Sequence, residues 1–258
     1  MPFTLAHPAA VLPLRRVRLM RTVPLIIGAM APDALYYLPW RIAKHIPQVT
    51  HTLLGTLTVD LPIGLLMLLL IWLLRKPLAA PLGARAAAKC FDALERFGRR
   101  PLNWVLAPLS ILVGAWTHLV WDSFTHANGW MVSRISALSA PVSFFSYRGE
   151  LCHVLQYASS VFGLAVMAIW FALLPAPASE VRNGERSGGP VLLAVLLLAA
   201  AAAGGFETVE HLARHAFAGY HLFYLLLTRT TAWFALLYTA AGIVIVRGRR
   251  RAAAPAAG

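Results

Sequence analysis

The stretch "THLVWDSFTH" sets His118, Asp122 and His126 four residues apart inside a strongly apolar run. On an α-helix these three share a face, drifting over about 80° and climbing about 12 Å from first to last. Zinc–ligand bonds run near about 2 Å, so one ion is reached by Asp122 together with His118, the better placed of the two histidines. His126, one turn nearer water, then serves a second ion, a substrate or a proton. Ionisable groups inside a membrane helix are costly to bury and are usually functional, which favours this reading over simple polar contact between helices.

Partner ligands are sought among the other polar residues at the ends of apolar runs. Asp33 follows Pro32 in "GAMAPDALYYL", where a helix must end and a carboxylate can face a cavity. His51 opens the next run between Thr50 and Thr52, residues suited to capping that helix or orienting the ring. His45 is a weaker candidate. Glu150 and His126 are candidate proton carriers beside a catalytic Asp122. Asp60 and Arg229 are the charges deepest within the apolar runs, at comparable depth, and are expected to pair. Glu207, Glu210 and His211 are expected in an outer connection.

These residues must be positioned by membrane helices. Of the 258 residues 59% are hydrophobic and only 13% charged, against about 25% in soluble domains. Apolar runs cover 52–74, 102–125, 151–174, 190–206 and 222–246, close to the roughly 20 residues that cross a bilayer. The fold class is therefore all-α, a polytopic membrane helix bundle of about five full spans. Before them comes a short re-entrant helical hairpin. In it a helix from His7 descends to Arg15, Arg16, Arg18 and Arg21, and 23–32 climbs back to Asp33. Non-helical backbone at membrane depth is tolerated where it lines a cavity.

The net charge of +13 sets topology rather than nucleic-acid binding. Seven basic residues, Arg75 to Arg100, fill the 75–101 connection, and Arg247, Arg249, Arg250 and Arg251 follow the last span. The alternate connections 126–150 and 207–221 carry two and one Arg and no Lys. The excess of basic residues on cytoplasmic loops places the C-terminus in the cytoplasm. His51, His118, His126, His153, His211, His215 and His221, seven of the nine histidines, then gather toward the outer face. Residues 1–174 form the domain that carries the site, 175–189 a cytoplasmic linker, 190–246 the C-terminal helices and 247–258 a basic, disordered tail. Cys90 and Cys152 fall on opposite sides of the membrane, so no disulfide is expected.

The motifs "MPFTLAHPAAVLPL", "GAMAPDALYYL", "HTLLG" and "GAWTHLVWDSFTHANGW" resemble an uncharacterised bacterial family of integral membrane proteins, over most of residues 1–165. More distantly the chain resembles membrane-bound metal-dependent hydrolases of bacterial inner membranes, which share an early His, a Pro-Asp pair, a Thr-His pair and a His-x-x-x-Asp. The resemblance implies His7, Asp33, His51, His118 and Asp122 as a metal set. Leu35 stands where those relatives carry a second Asp, which removes one ligand of a two-metal site. The implied cofactor is a divalent metal, zinc first and manganese as the alternative.

The expected function is hydrolysis of a lipid or lipid-linked ester or phosphoester near the outer leaflet, with membrane lipids as partners. A proton or ion conduit would need polar residues through both halves of the spans, whereas "LLMLLLIWLL" and "YTAAGIVIV" are apolar. A non-catalytic cluster holding helices together is the remaining alternative.

Overall fold

The computed structural model describes residues 3–37, 47–145, 147–177, 189–214 and 219–253. The main helices are α1 (Thr22–Met30), α2 (Leu53–Leu73), α3 (Ala84–Gly98), α4 (Pro101–Thr125), α5 (Leu151–Leu173), α6 (Pro190–Arg214) and α7 (Gly219–Ala253). α2, α4, α5, α6 and α7 are each long and apolar enough to cross a membrane, and the chain is a multi-pass membrane protein. Helices dominate because a bilayer offers no water to satisfy backbone N–H and C=O groups, which a helix pairs internally. Large side chains such as Leu53, Val105, Val161, Leu173 and Val191 stand exposed on these helices, as lipid contact requires. His45, His215 and most of the expected 175–189 linker lie outside the described residues.

The chain forms two compact units. The first comprises residues 1–35, 41–69 and 97–174. It opens with 3-10 helices at Thr4–Val11 and Pro13–Arg16, followed by α1, and so has the short hairpin form expected from the sequence. α1 lies directly on α4. A Cβ on Gly28 would collide with the Ile111 carbonyl, and one on Gly114 with the Leu25 carbonyl, so only glycine permits this approach. Pro32 follows the last turn of α1, and the chain tightens into a 3-10 helix over Ala31–Tyr37. The first 3-10 helix packs on α5, where the Phe3 amide donates to Ser160 Oγ at 3.0 Å. Between α4 and α5 the chain forms a small antiparallel hairpin of β1 (Pro141–Phe144) and β2 (Tyr147–Glu150), with Pro141 opposite Glu150. That hairpin is an addition to an otherwise helical architecture.

The second unit comprises residues 36–40, 70–96 and 175–258. Its α6 and α7 are paired helices, and Tyr238 donates its hydroxyl to the Leu78 carbonyl at 2.5 Å. Arg75 Nε donates to Glu95 Oε1 at 2.5 Å, and Arg96 pairs with Asp92 one turn back on α3. Three sequence expectations change here. The 190–206 span continues as helix to Arg214, so Glu207, Glu210 and His211 are helical residues and not members of a loop. Arg229 pairs with Glu207 of the adjacent helix (3.4 Å), which also accepts from Trp233 Nε1 at 3.1 Å. A carboxylate on the neighbouring helix thus satisfies the arginine that the sequence assigns to Asp60. α7 also runs on as helix through the terminal arginines to Ala253, past the tail boundary expected at residue 247.

Candidate metal centre

The first unit brings together His7, Asp33, His51, His118 and Asp122 from four separate elements. His7 comes from the N-terminal 3-10 helix and Asp33 from the 3-10 helix after α1. His51 lies in the turn before α2, and α4 carries both His118 and Asp122. His118 Nε2 lies 3.3 Å from Asp122 Oδ2 and 3.6 Å from Asp33 Oδ1. His51 Nε2 lies 3.5 Å from each of the same two oxygens. Four donor atoms therefore close a ring of short separations, and two groups able to hold an ion share His118: His51 with His118 and Asp122, and His7 with Asp33 and His118. Donors bound tetrahedrally at 2.0–2.1 Å from zinc stand about 3.4 Å from one another. The four measured separations fall on either side of that edge length.

Asp33, His118 and His51 are each held by a second contact that sets which atom faces inward. The Thr4 hydroxyl donates to Asp33 Oδ2 at 2.7 Å, which leaves Oδ1 for the histidines. His118 Nδ1 sits 2.9 Å from the Ala29 carbonyl, so Nδ1–H donates and the Nε2 lone pair points at the carboxylates. That carbonyl is near the end of α1, where the last C=O groups lack helical partners. Thr50 Oγ1 lies 3.0 Å from His51 Nδ1, while Thr52 Oγ1 caps the following turn by accepting from the Gly55 amide. Hydrogen bonds of this kind fix imidazole orientation at metal sites. The roles of Thr4 and Ala29 are not legible in the sequence, although Thr4 lies only three residues before His7.

Burial and charge fit a cation. Asp33 and His118 are fully buried, and His7 and Asp122 nearly so. Asp33 Oδ1, His118 Nε2, Asp122 Oδ1 and both His7 nitrogens have no hydrogen-bond partner among the described residues. Buried polar atoms are rarely left unpaired, and a ligand is one of the standard reasons when they are. His51, at the rim, is raised to about 10: burial lowers it, but the Asp122 and Asp33 carboxylates outweigh that and hold its proton. Two carboxylates sharing a positive charge is the arrangement a divalent ion would replace.

The remaining candidates stand apart from the four facing donors. His126 closes the C-terminus of α4 with Nδ1 3.1 Å from the Asp122 carbonyl and 3.6 Å from Asp122 Oδ1. Its ring is held below the ordinary imidazole range by burial, so it is neutral at pH 7. Glu150 stands at the N-cap position of α5 without a side-chain capping bond, and its Oε2 accepts from Cys152 Sγ at 3.4 Å; with His153 these form a separate group of donors. Both cysteines are free thiols. Asp60, in a π-helical turn at Thr56–Asp60, is fully buried, and neither of its oxygens has a hydrogen-bond partner among the described residues.

The matching family model runs over residues 1–246 and describes a domain of unknown function, DUF4184. The chain belongs to that family. The matched span covers all the site residues named above. No curated protein and no solved structure matches the chain.

Proposed function

We propose that this DUF4184 protein is a membrane-embedded, metal-dependent hydrolase. Its zinc ligands are His51 Nε2, His118 Nε2, Asp33 Oδ1 and Asp122 Oδ2. The observation that carries the reading is the set of four cross-element separations of 3.3–3.6 Å among those atoms. Their mixed imidazole and carboxylate chemistry suits zinc, with manganese as the alternative. A bound ion of this kind supplies Lewis acidity and brings the pKa of a coordinated water to about 7.

The chain's own residues then divide the work. Thr4, Thr50 and the Ala29 carbonyl hold the ligand atoms in place. His126, neutral and at the rim, is placed to accept or return a proton, and Glu150 is a second carrier at the same end of the helices. The alternation of Arg/Lys-rich and Arg/Lys-poor connections supports a bacterial inner-membrane protein with a cytoplasmic C-terminus, its site opening toward the outer leaflet. A cavity at that depth suits an ester or phosphoester of a lipid or lipid-linked molecule.

A second reading rests on one observation. Four protein donors bound to one ion would fill a tetrahedral shell, and closed shells are characteristic of structural rather than catalytic zinc. Metal content separates the metal readings from plain helix contact. Elemental analysis of the detergent-purified chain should find near-stoichiometric zinc or manganese. It should be lost in His118→Ala and Asp122→Ala and kept in Asp60→Asn. A folded wild type that stays metal-free after zinc is added back would sink the proposal. A metal-loaded protein inactive across lipid ester and phosphoester substrates would favour the structural ion.

A further inference from the structure

Asp122 presents its two carboxylate oxygens to different histidines. Oδ2 faces His51 and His118, at 3.5 and 3.3 Å. Oδ1 faces His7 Nε2 and His126 Nδ1, each at 3.6 Å. The Oδ1 side is the unexplained half of the cluster. His7 is 1% exposed, and neither its nitrogens nor Asp122 Oδ1 has a hydrogen-bond partner among the described residues. A buried imidazole with both nitrogens idle beside an idle carboxylate oxygen forfeits the desolvation cost of all three atoms. Its ring is not displaced at random, since it stacks on His118 with centroids 3.8 Å apart and lies 5.6 Å from Trp121.

We propose that Asp122 bridges two divalent ions, the second held by His7 Nε2, Asp122 Oδ1 and His126. This rests on the reading of the first ion given above. A carboxylate with one oxygen on each ion is a common bridge in sites whose metals stand about 3.5–4 Å apart. The two positions differ in kind. The first is surrounded by four protein donors. The second has two buried donors and a third, His126, at the exposed rim, and so keeps open coordination positions for water or substrate. His126 Nδ1 now rests 3.1 Å from the Asp122 carbonyl, a contact that an ion on Asp122 Oδ1 would replace. The second ion would be the one open to water or substrate and the first would anchor the bridge; with His126 spent as a ligand, Glu150 would be left as the proton carrier.

The test is ion stoichiometry on the full-length, detergent-purified chain, equilibrated with zinc, for wild type, His7→Ala and His7→Phe. The Phe variant keeps an aromatic ring to stack on His118 and removes the donors, so a folding defect in His7→Ala alone does not decide the matter. Expected are two zinc ions per wild-type chain and one in either variant. Manganese-loaded wild type should show a spin-coupled pair by electron paramagnetic resonance, and the variants an uncoupled ion. One ion in wild type, retained by both variants, overturns the second site and leaves the first standing. One ion in wild type that both variants lose makes His7 a ligand of the first ion and also overturns the proposal. No ion at all overturns both readings.

Discussion

The Thr4 hydroxyl donates to Asp33 Oδ2 at 2.7 Å, and through that bond the first residues of the chain decide which oxygen of Asp33 turns toward His51 and His118. A contact outside the proposed ligand set thus controls how that set is presented. Replacing Thr4 with Val removes the donor at nearly constant volume. Metal affinity should fall by about 10–100-fold, as for other partners of ligating residues. Thr4→Ser should stay close to wild type. Competition with a fluorescent chelator measures both, and equal affinity in Thr4→Val would remove Thr4 from the account.

Gly28 and Gly114 let α1 approach α4 closely enough to bring Asp33 to His118. Gly28→Ala sets a methyl against the Ile111 carbonyl, which cannot move without disturbing α4. Overpacking of this kind costs about 1–3 kcal/mol. We expect a lowered Tm in detergent together with reduced metal content, because displacing α1 displaces the 3-10 helix that follows it and carries Asp33. Gly205→Ala, where a Cβ meets open space, is the matched control and should leave both unchanged.

His51 makes the metal-free protein sensitive to pH. Its folded-state value is raised from 6.5 to about 10, so its stabilising contribution is fully present below pH 6.5 and lost as pH climbs toward 10. In chelator, the Tm of wild type should decline across that window, and His51→Gln should flatten the decline. With zinc present the dependence should reverse over the same range, since binding displaces the proton from His51 and becomes more favourable as pH rises. Calorimetry in buffers of different ionisation enthalpy should register proton release on binding. A wild-type Tm in chelator that stays level from pH 6.5 to 10 would contradict the assignment.

Asp60 carries a different expectation. It is fully buried with both oxygens unpartnered among the described residues, and Arg229 pairs with Glu207 instead. Asp60→Asn should keep its metal and lose little stability, because no ion pair is broken. Glu207→Gln should weaken the hold on Arg229, but the carboxylate is partly exposed, so the cost is expected to stay below about 1 kcal/mol. A double-mutant cycle between Glu207 and Arg229 reads the coupling directly.

The residues of the candidate centre were legible in the sequence because costly groups stand out against an apolar background. Two histidines and an aspartate at helical spacing, a Pro-Asp pair at a helix end and a histidine opening a span needed no structure to be noticed. The five spans were legible for the same reason, since length and hydropathy alone decide whether a helix can cross a bilayer. Helix periodicity also placed His118 and Asp122 on one face, a relation internal to a single element.

Relations between elements were not legible, and only the tertiary structure decided them. The two oxygens of Asp122 are chemically identical in the sequence; packing turns one toward His51 and His118 and the other toward His7 and His126. The depth of Arg229 suggested Asp60, but the partner was chosen by which helix lies alongside, and α6 supplies Glu207. Periodicity constrains neighbours three and four residues apart, whereas a cross-helix contact depends on how closely two backbones approach. Here that approach was set by glycines at positions 28 and 114 rather than by any charged residue.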